Sequence, residues 1–233
     1  MKNSQAQKML DTTIKQIAGF DNTLTLEQCK QKFAYDIDLP IEVYDTTTGE
    51  PTWTVTANAG KYMTLQNVRD RVGVDDWMLP KREMKSANDI LAAWSEVNYA
   101  TTERHIESLN IGESDTIYFS ENVYRSQDVT KCKNVAFCCG VNTSEYLIAS
   151  QRSGGSTHCI RLEDSGECSN SFNVVWSNNI VSSLFIQDSS NLYECMFCSK
   201  LKDKKFCVAN MQLEEAEYYR LKELVLAWLF SAV

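Results

Sequence analysis

Nine cysteines and two histidines are the residues of this 233-residue chain whose types and spacing could do chemistry. Cys195-Met-Phe-Cys198, with Cys207 after it and His158-Cys159 before it, has the spacing from which tetrahedral zinc sites are built. His105 or His158 could act as a general base, the role histidine plays in hexapeptide acyltransferases. His158 has the better position, beside Gly154 and Gly155, but no acid and nucleophile accompany it. Arg161, Glu163 and Asp164 read as a solvated loop, and His105 reads as a surface residue of a short helix. No phosphate loop, dinucleotide fingerprint or Gly-x-Ser-x-Gly elbow occurs. The expectation is therefore a protein that is not an enzyme and takes no cofactor and no metal.

What the cysteines do instead follows from the element that must hold them. Every third residue from Ser108 to Leu201 is Ser, Cys or a branched aliphatic, without exception. Small and aliphatic residues alternate along this series, so the full repeat is the hexad of Ser120-Glu-Asn-Val-Tyr-Arg or Ser177-Asn-Asn-Ile-Val-Ser. Helices repeat at 3.6 residues and plain strands at two, so neither fits. A coil that turns a corner every few residues does. The residue before the aliphatic is often Asn, Asp or Gly (Asn122, Asp128, Asn134, Gly140, Asn173, Asn179, Asn191), the types that tolerate a left-handed corner. The reading is a mainly β fold: a β-solenoid of hexapeptide-type rungs, with Ser/Cys columns beside Ile/Val columns inside. Two hexads or three, about twelve or about eighteen residues, would each make one turn.

Cys132, Cys138, Cys159, Cys168, Cys195, Cys198 and Cys207 all fall on the inward phase. Their CxxC spacing is then the solenoid period, and buried reduced thiols are expected rather than zinc. Cys29 and Cys139 lie off the phase. Near Ser150–Ser156 the alternation slips by half a repeat, which predicts a bulged or looped rung within Arg152–Gly166. A ligand site near His158 would sit there.

Residues 1–107 carry no repeat and read as a mixed α/β attachment region with capping helices, followed by a solenoid over 108–210 and a C-terminal capping helix within 211–233. Helices are expected at Gln5–Ile17, at Leu26–Phe33, after the capping-box-like Ser86-Ala-Asn-Asp89, and at Thr102–Ser108 over the first rung. Ile41–Tyr44 and Trp53–Thr56 flank a hairpin at Gly49. Asn210 can cap a last helix running through Leu213 to Leu229, folded onto the final rung or docked on a partner. The off-phase aromatics include Tyr118, Tyr124, Trp176 and Phe185. With Trp228 and Phe230 they form the candidate interaction surface, suited to sister subunits.

Formal charge is −8, from 23 basic and 31 acidic residues, which argues against general affinity for nucleic acid. The start of the chain has no signal-peptide pattern, and no apolar run is long enough for a membrane span.

The segment Cys195–Leu221 resembles the closing stretch of Ser/Cys-rich hexad-repeat proteins of tailed bacteriophages and small-genome bacteria, and the resemblance extends over about residues 108–222. It carries no catalytic or ligand residues to transfer. It implies a virion structural protein, a head decoration or minor capsid component. Such a protein is made in the host cytoplasm and meets other virion proteins such as the capsid protein. A cellular binding module using the rung near His158 is the alternative, and an acyltransferase-like enzyme a more distant one.

Overall fold

The computed structural model describes residues 1–74 and 77–230. Its body is a β-solenoid of parallel strands from β5 (His105–Ile106) to β19 (Lys202–Val208). Every parallel pairing within it joins residue i to residue i+12, as in Val123↔Val135 and Ile180↔Leu192. Two hexads therefore make one turn, and residues 105–208 make about nine turns.

The backbone explains the period. Every third residue from Glu107 to Phe206 has φ between +43° and +67°. Twelve residues thus make four sides, each with one residue facing inward, one facing outward and one at a left-handed corner. That conformation costs an L-residue about 1–2 kcal/mol, least for Gly, Asn and Asp. Asn110, Asn122 and Asn134 stack at one corner, and their side-chain amides bond along the axis at 2.6 and 2.9 Å.

The serines close the corners. The Ser126 hydroxyl donates to the Tyr124 carbonyl (2.9 Å) and accepts from the Cys138 amide one turn on (3.0 Å). Ser120, Ser177 and Ser183 repeat this geometry. The Tyr124 carbonyl keeps its ladder bond from the Phe137 amide (3.1 Å) as well, so the hydroxyl adds a second donor to that carbonyl and supplies the acceptor for the Cys138 amide. Cysteine does the same with longer bonds: Cys138 donates to Ala136 and accepts from the Ser150 amide, both at 3.3 Å. Between the corners, Val123, Val135 and Leu147 fill the interior and are fully buried.

The slip near Ser150–Ser156 is neither a bulge nor a loop. The step of twelve continues through Gly154↔Gly166↔Asn178 and Thr157↔Ser169↔Val181, so no residue is inserted. The aliphatic columns exchange sides with the serine columns instead. The seven-residue strand β14 (Thr157–Glu163) carries the chain around the corner and pairs with neighbours on both sides.

One outer face is apolar: Tyr124, Ala136, Ile148, Ile160, Phe172, Leu184 and Met196 stand twelve residues apart and are all buried. Helices cover it. α1 (Asn3–Ala18) lays Leu10, Ile14 and Ile17 across the earlier rungs, and α2 (Leu26–Phe33) adds Cys29 and Phe33. α5 (Glu215–Phe230) starts beside the last rung, where Tyr218 meets Phe206, and runs back until Phe230 packs on Phe172 and Phe33. It is a flank helix rather than a lid on the last rung alone. It begins after Asn210, whose side chain instead bridges to the Ser199 backbone. The last rung is closed by the short antiparallel strand β20 (Met211–Gln212), and Lys202, Lys204 and Lys205 hold its edge in water.

The remainder of residues 1–107 meets the first rung. β1 (Ile41–Tyr44) and β2 (Pro51–Thr54) form the expected hairpin, and β3 (Lys61–Thr64) pairs in parallel with β4 (Tyr99–Thr102). α3 (Leu65–Arg71) and α4 (Ala87–Val97) lie between those two strands in sequence, and the capping box at Ser86 and Asp89 is present. The expected helix over Thr102–Ser108 is absent. Pairing to Lys61–Thr64 on one side and to the second rung on the other outweighs its local propensity. Asp115, fully buried, ties hairpin to rung by accepting from Arg104 Nη2 (2.6 Å), the Arg104 amide (2.9 Å) and the Val55 amide (3.2 Å).

Candidate functional site

His158 stands at the corner column that continues the asparagines, its ring stacked on Tyr146 at 4.5 Å and 14°. Its Nδ1 is 2.9 Å from the Thr157 hydroxyl. Burial lowers its pKa from the ordinary histidine value against the pull of the Glu145 carboxylate, so the ring is neutral at pH 7. The stack makes His158 a corner-ladder residue on a regular rung. His105 lies in a strand rather than a helix, and its Nε2 is 2.8 Å from the Ser114 carbonyl.

All seven inward cysteines are buried, as is Cys29 on α2; Cys139 is half-buried. Burial pushes the thiols of Cys132 and Cys168 up to about 11 and that of Cys29 to about 12. Cys198 is lowered by a hydrogen bond from Cys195, against its own burial. Among the described residues, no three His, Cys, Asp or Glu side chains are grouped to hold a metal ion.

The six candidate surface aromatics do not form one surface. Tyr124 is buried, its hydroxyl donating to Asn3 at 2.9 Å, and burial raises its pKa to about 12. Phe230 is buried among Phe20, Phe33 and Phe172. Neither is free for a partner, because both complete the core beneath the helices. Phe185 is half-buried, stacked on Phe197 at 4.6 Å and 6.1 Å from Trp228, so these two candidates do meet on the α5 flank. Tyr118 is half-buried on another face, and Trp176 stands exposed at a separate corner.

Two features lay outside the candidate set. A shallow groove of about 890 Å³ follows the rungs past Phe119, Glu121, Lys133, Glu145 and Thr157. α4 buries only Ala93 and leaves Ile90, Leu91 and Trp94 each more than half exposed. Their helical spacing after the capping box is visible in the sequence, but nothing there says which face they present. No family model, curated protein or solved structure matches this chain.

Proposed function

We propose that the protein is a non-enzymatic structural component of a bacteriophage particle, a head decoration or minor capsid protein. The solenoid is its stiff body, and the region around α4 is its attachment to another virion protein such as the capsid protein. The observation that carries this reading is the apolar stripe of α4. Ile90, Leu91 and Trp94 are in water on a helix with a fully formed capping box. The resemblance over about residues 108–222 supplies the association with phage. The inward Ser, Cys and aliphatic positions support a structural role, because corner hydrogen bonds and packing occupy them.

Quantitative mass spectrometry of purified virions tests it. A fixed copy number per particle, lost in a Leu91→Asp/Trp94→Asp variant whose melting is unchanged, is the expected result; absence of the wild-type chain from particles rejects it. The same protein in light scattering reports whether copies self-associate. A cellular binding module is a second reading, favoured by the Tyr146–His158 stack beside the groove. A ligand-induced melting shift abolished by His158→Ala would select it.

A further inference from the structure

Trp176 occupies a corner where the fold has no use for it. The column it belongs to runs Asp128, Gly140, Arg152, Asp164, Trp176, Asp188, Lys200 at steps of twelve, all but Trp176 polar or glycine. Its φ is +49°, a conformation that penalises a bulky side chain, and the residue is 64% exposed. Neither backbone preference nor burial accounts for tryptophan there.

Its surroundings are a shallow, open surface groove lined by Asp164, Gly166, Trp176, Asn178, Asp188 and Ser190. Asp164 and Asp188 flank the indole one rung before and one rung after. Gly166 keeps the floor open: a Cβ there would come within 3.3 Å of Asn178 Oδ1 and of the Gly154 carbonyl. Asn178 donates its Nδ2 to Glu167 (3.2 Å), and its Oδ1 lies beside Gly166 and makes no hydrogen bond to a side chain there. All of these groups sit on paired rungs, so their spacing is fixed without a ligand.

A flat apolar ring bordered by a carboxylate, an amide oxygen and a hydroxyl matches a pyranose. Its C–H face can lie on the indole while its hydroxyls bond outward. A cationic ligand fits less well. Arg152 already clamps Asp164 through Nε (2.9 Å) and Nη2 (2.8 Å), and Lys200 adds a further positive charge to the column. We propose that this groove is a binding site for neutral oligosaccharide, with Trp176 as the stacking platform and Asp188 and Asn178 as hydroxyl partners. The proposal does not depend on the virion reading.

The test is saturation-transfer NMR and calorimetry on the full chain with cellohexaose, maltohexaose and chitohexaose, with tetramethylammonium chloride as the cation probe. At least one hexasaccharide is expected to bind, about tenfold more weakly to Trp176→Ala and several-fold more weakly to Asp188→Asn. Both variants should melt with the wild type, because neither side chain is buried. No binding of any hexasaccharide at about 10 mM, undiminished binding by Trp176→Ala, or binding of tetramethylammonium alone overturns the proposal.

Discussion

The solenoid and the segment of residues 41–102 solve the same problem in opposite ways. The solenoid spreads its order over repeated small contacts, a hydroxyl at each serine corner and an aliphatic at most inward strand positions. Residues 41–102 concentrate theirs on single buried hubs. Asp45, 1% exposed, accepts from the Thr47 amide, the Thr64 amide and Asn67 Nδ2, all at 2.8 Å. Thr52 and Thr102 share one buried hydroxyl contact at 2.7 Å. The apolar side chains of the two regions differ accordingly: Val123, Leu147 and Ile180 are wholly enclosed, whereas Ile90, Leu91 and Trp94 are mostly in water. A repeat covers each rung with the next. A small non-repeating segment has only what chain neighbours or partners bring.

The largest expected effect is in the solenoid interior. Leu147→Ala, at a fully buried site between stacked rungs, should destabilise by about 2–5 kcal/mol in urea denaturation. A smaller loss would mean that the rungs collapse onto the gap and that the interior is not close-packed.

Acid should separate the two regions. Burial raises the Asp45 pKa, but the hydrogen bonds from Thr47, Thr64 and Asn67 outweigh it and hold the carboxyl down to about 2. A group depressed on folding adds stability above its unfolded pKa of about 3.9, and loses it as pH falls through the folded value. About 2 kcal/mol should therefore vanish between pH 4 and about 2. Hydrogen exchange should show Thr47 and Thr64 amides opening over that window while the Val135 and Ile180 rungs stay protected. Asp45→Asn should remove the pH step.

Corner chemistry comes next. Ser126→Ala strands the Cys138 amide and should cost about 1–3 kcal/mol; Ser126→Cys should cost clearly less, because cysteine serves the same corner at Cys138. Equal losses for the two variants would show that the hydroxyl contributes only volume.

The smallest effect is the most telling for α4. Trp94→Ala should change the stability of the isolated chain by less than about 0.5 kcal/mol. A loss near that of Leu147→Ala would show that α4 packs within the monomer and remove the case for attachment through it.

The interior was legible because periodicity is a property of the chain: a residue type confined to every third position must face one environment. The corners were partly legible. Asn122 and Asn179 announce a left-handed backbone, whereas Phe119 and Trp176 adopt it without any local signal. The covered outer face was present in the sequence as Tyr124, Ala136, Ile148, Ile160 and Phe172. It stayed hidden while twelve and eighteen residues per turn were both open, since a face exists only once the turn length is known. That is also why Tyr124 and Phe230 read as surface. The helix expected at Thr102–Ser108 failed because strand pairing at 102 and 105–106 is decided by distant segments.

Sequence alone thus determined the solenoid, its inward side chains and the buried state of its cysteines, each of which depends on a spacing repeated along the chain. Tertiary structure decided the twelve-residue turn, the covering of one flank by α1 and α5, and the isolation of Trp176 at an open corner. Those outcomes depend on which residues meet across rungs, and distance along a chain does not encode distance in space.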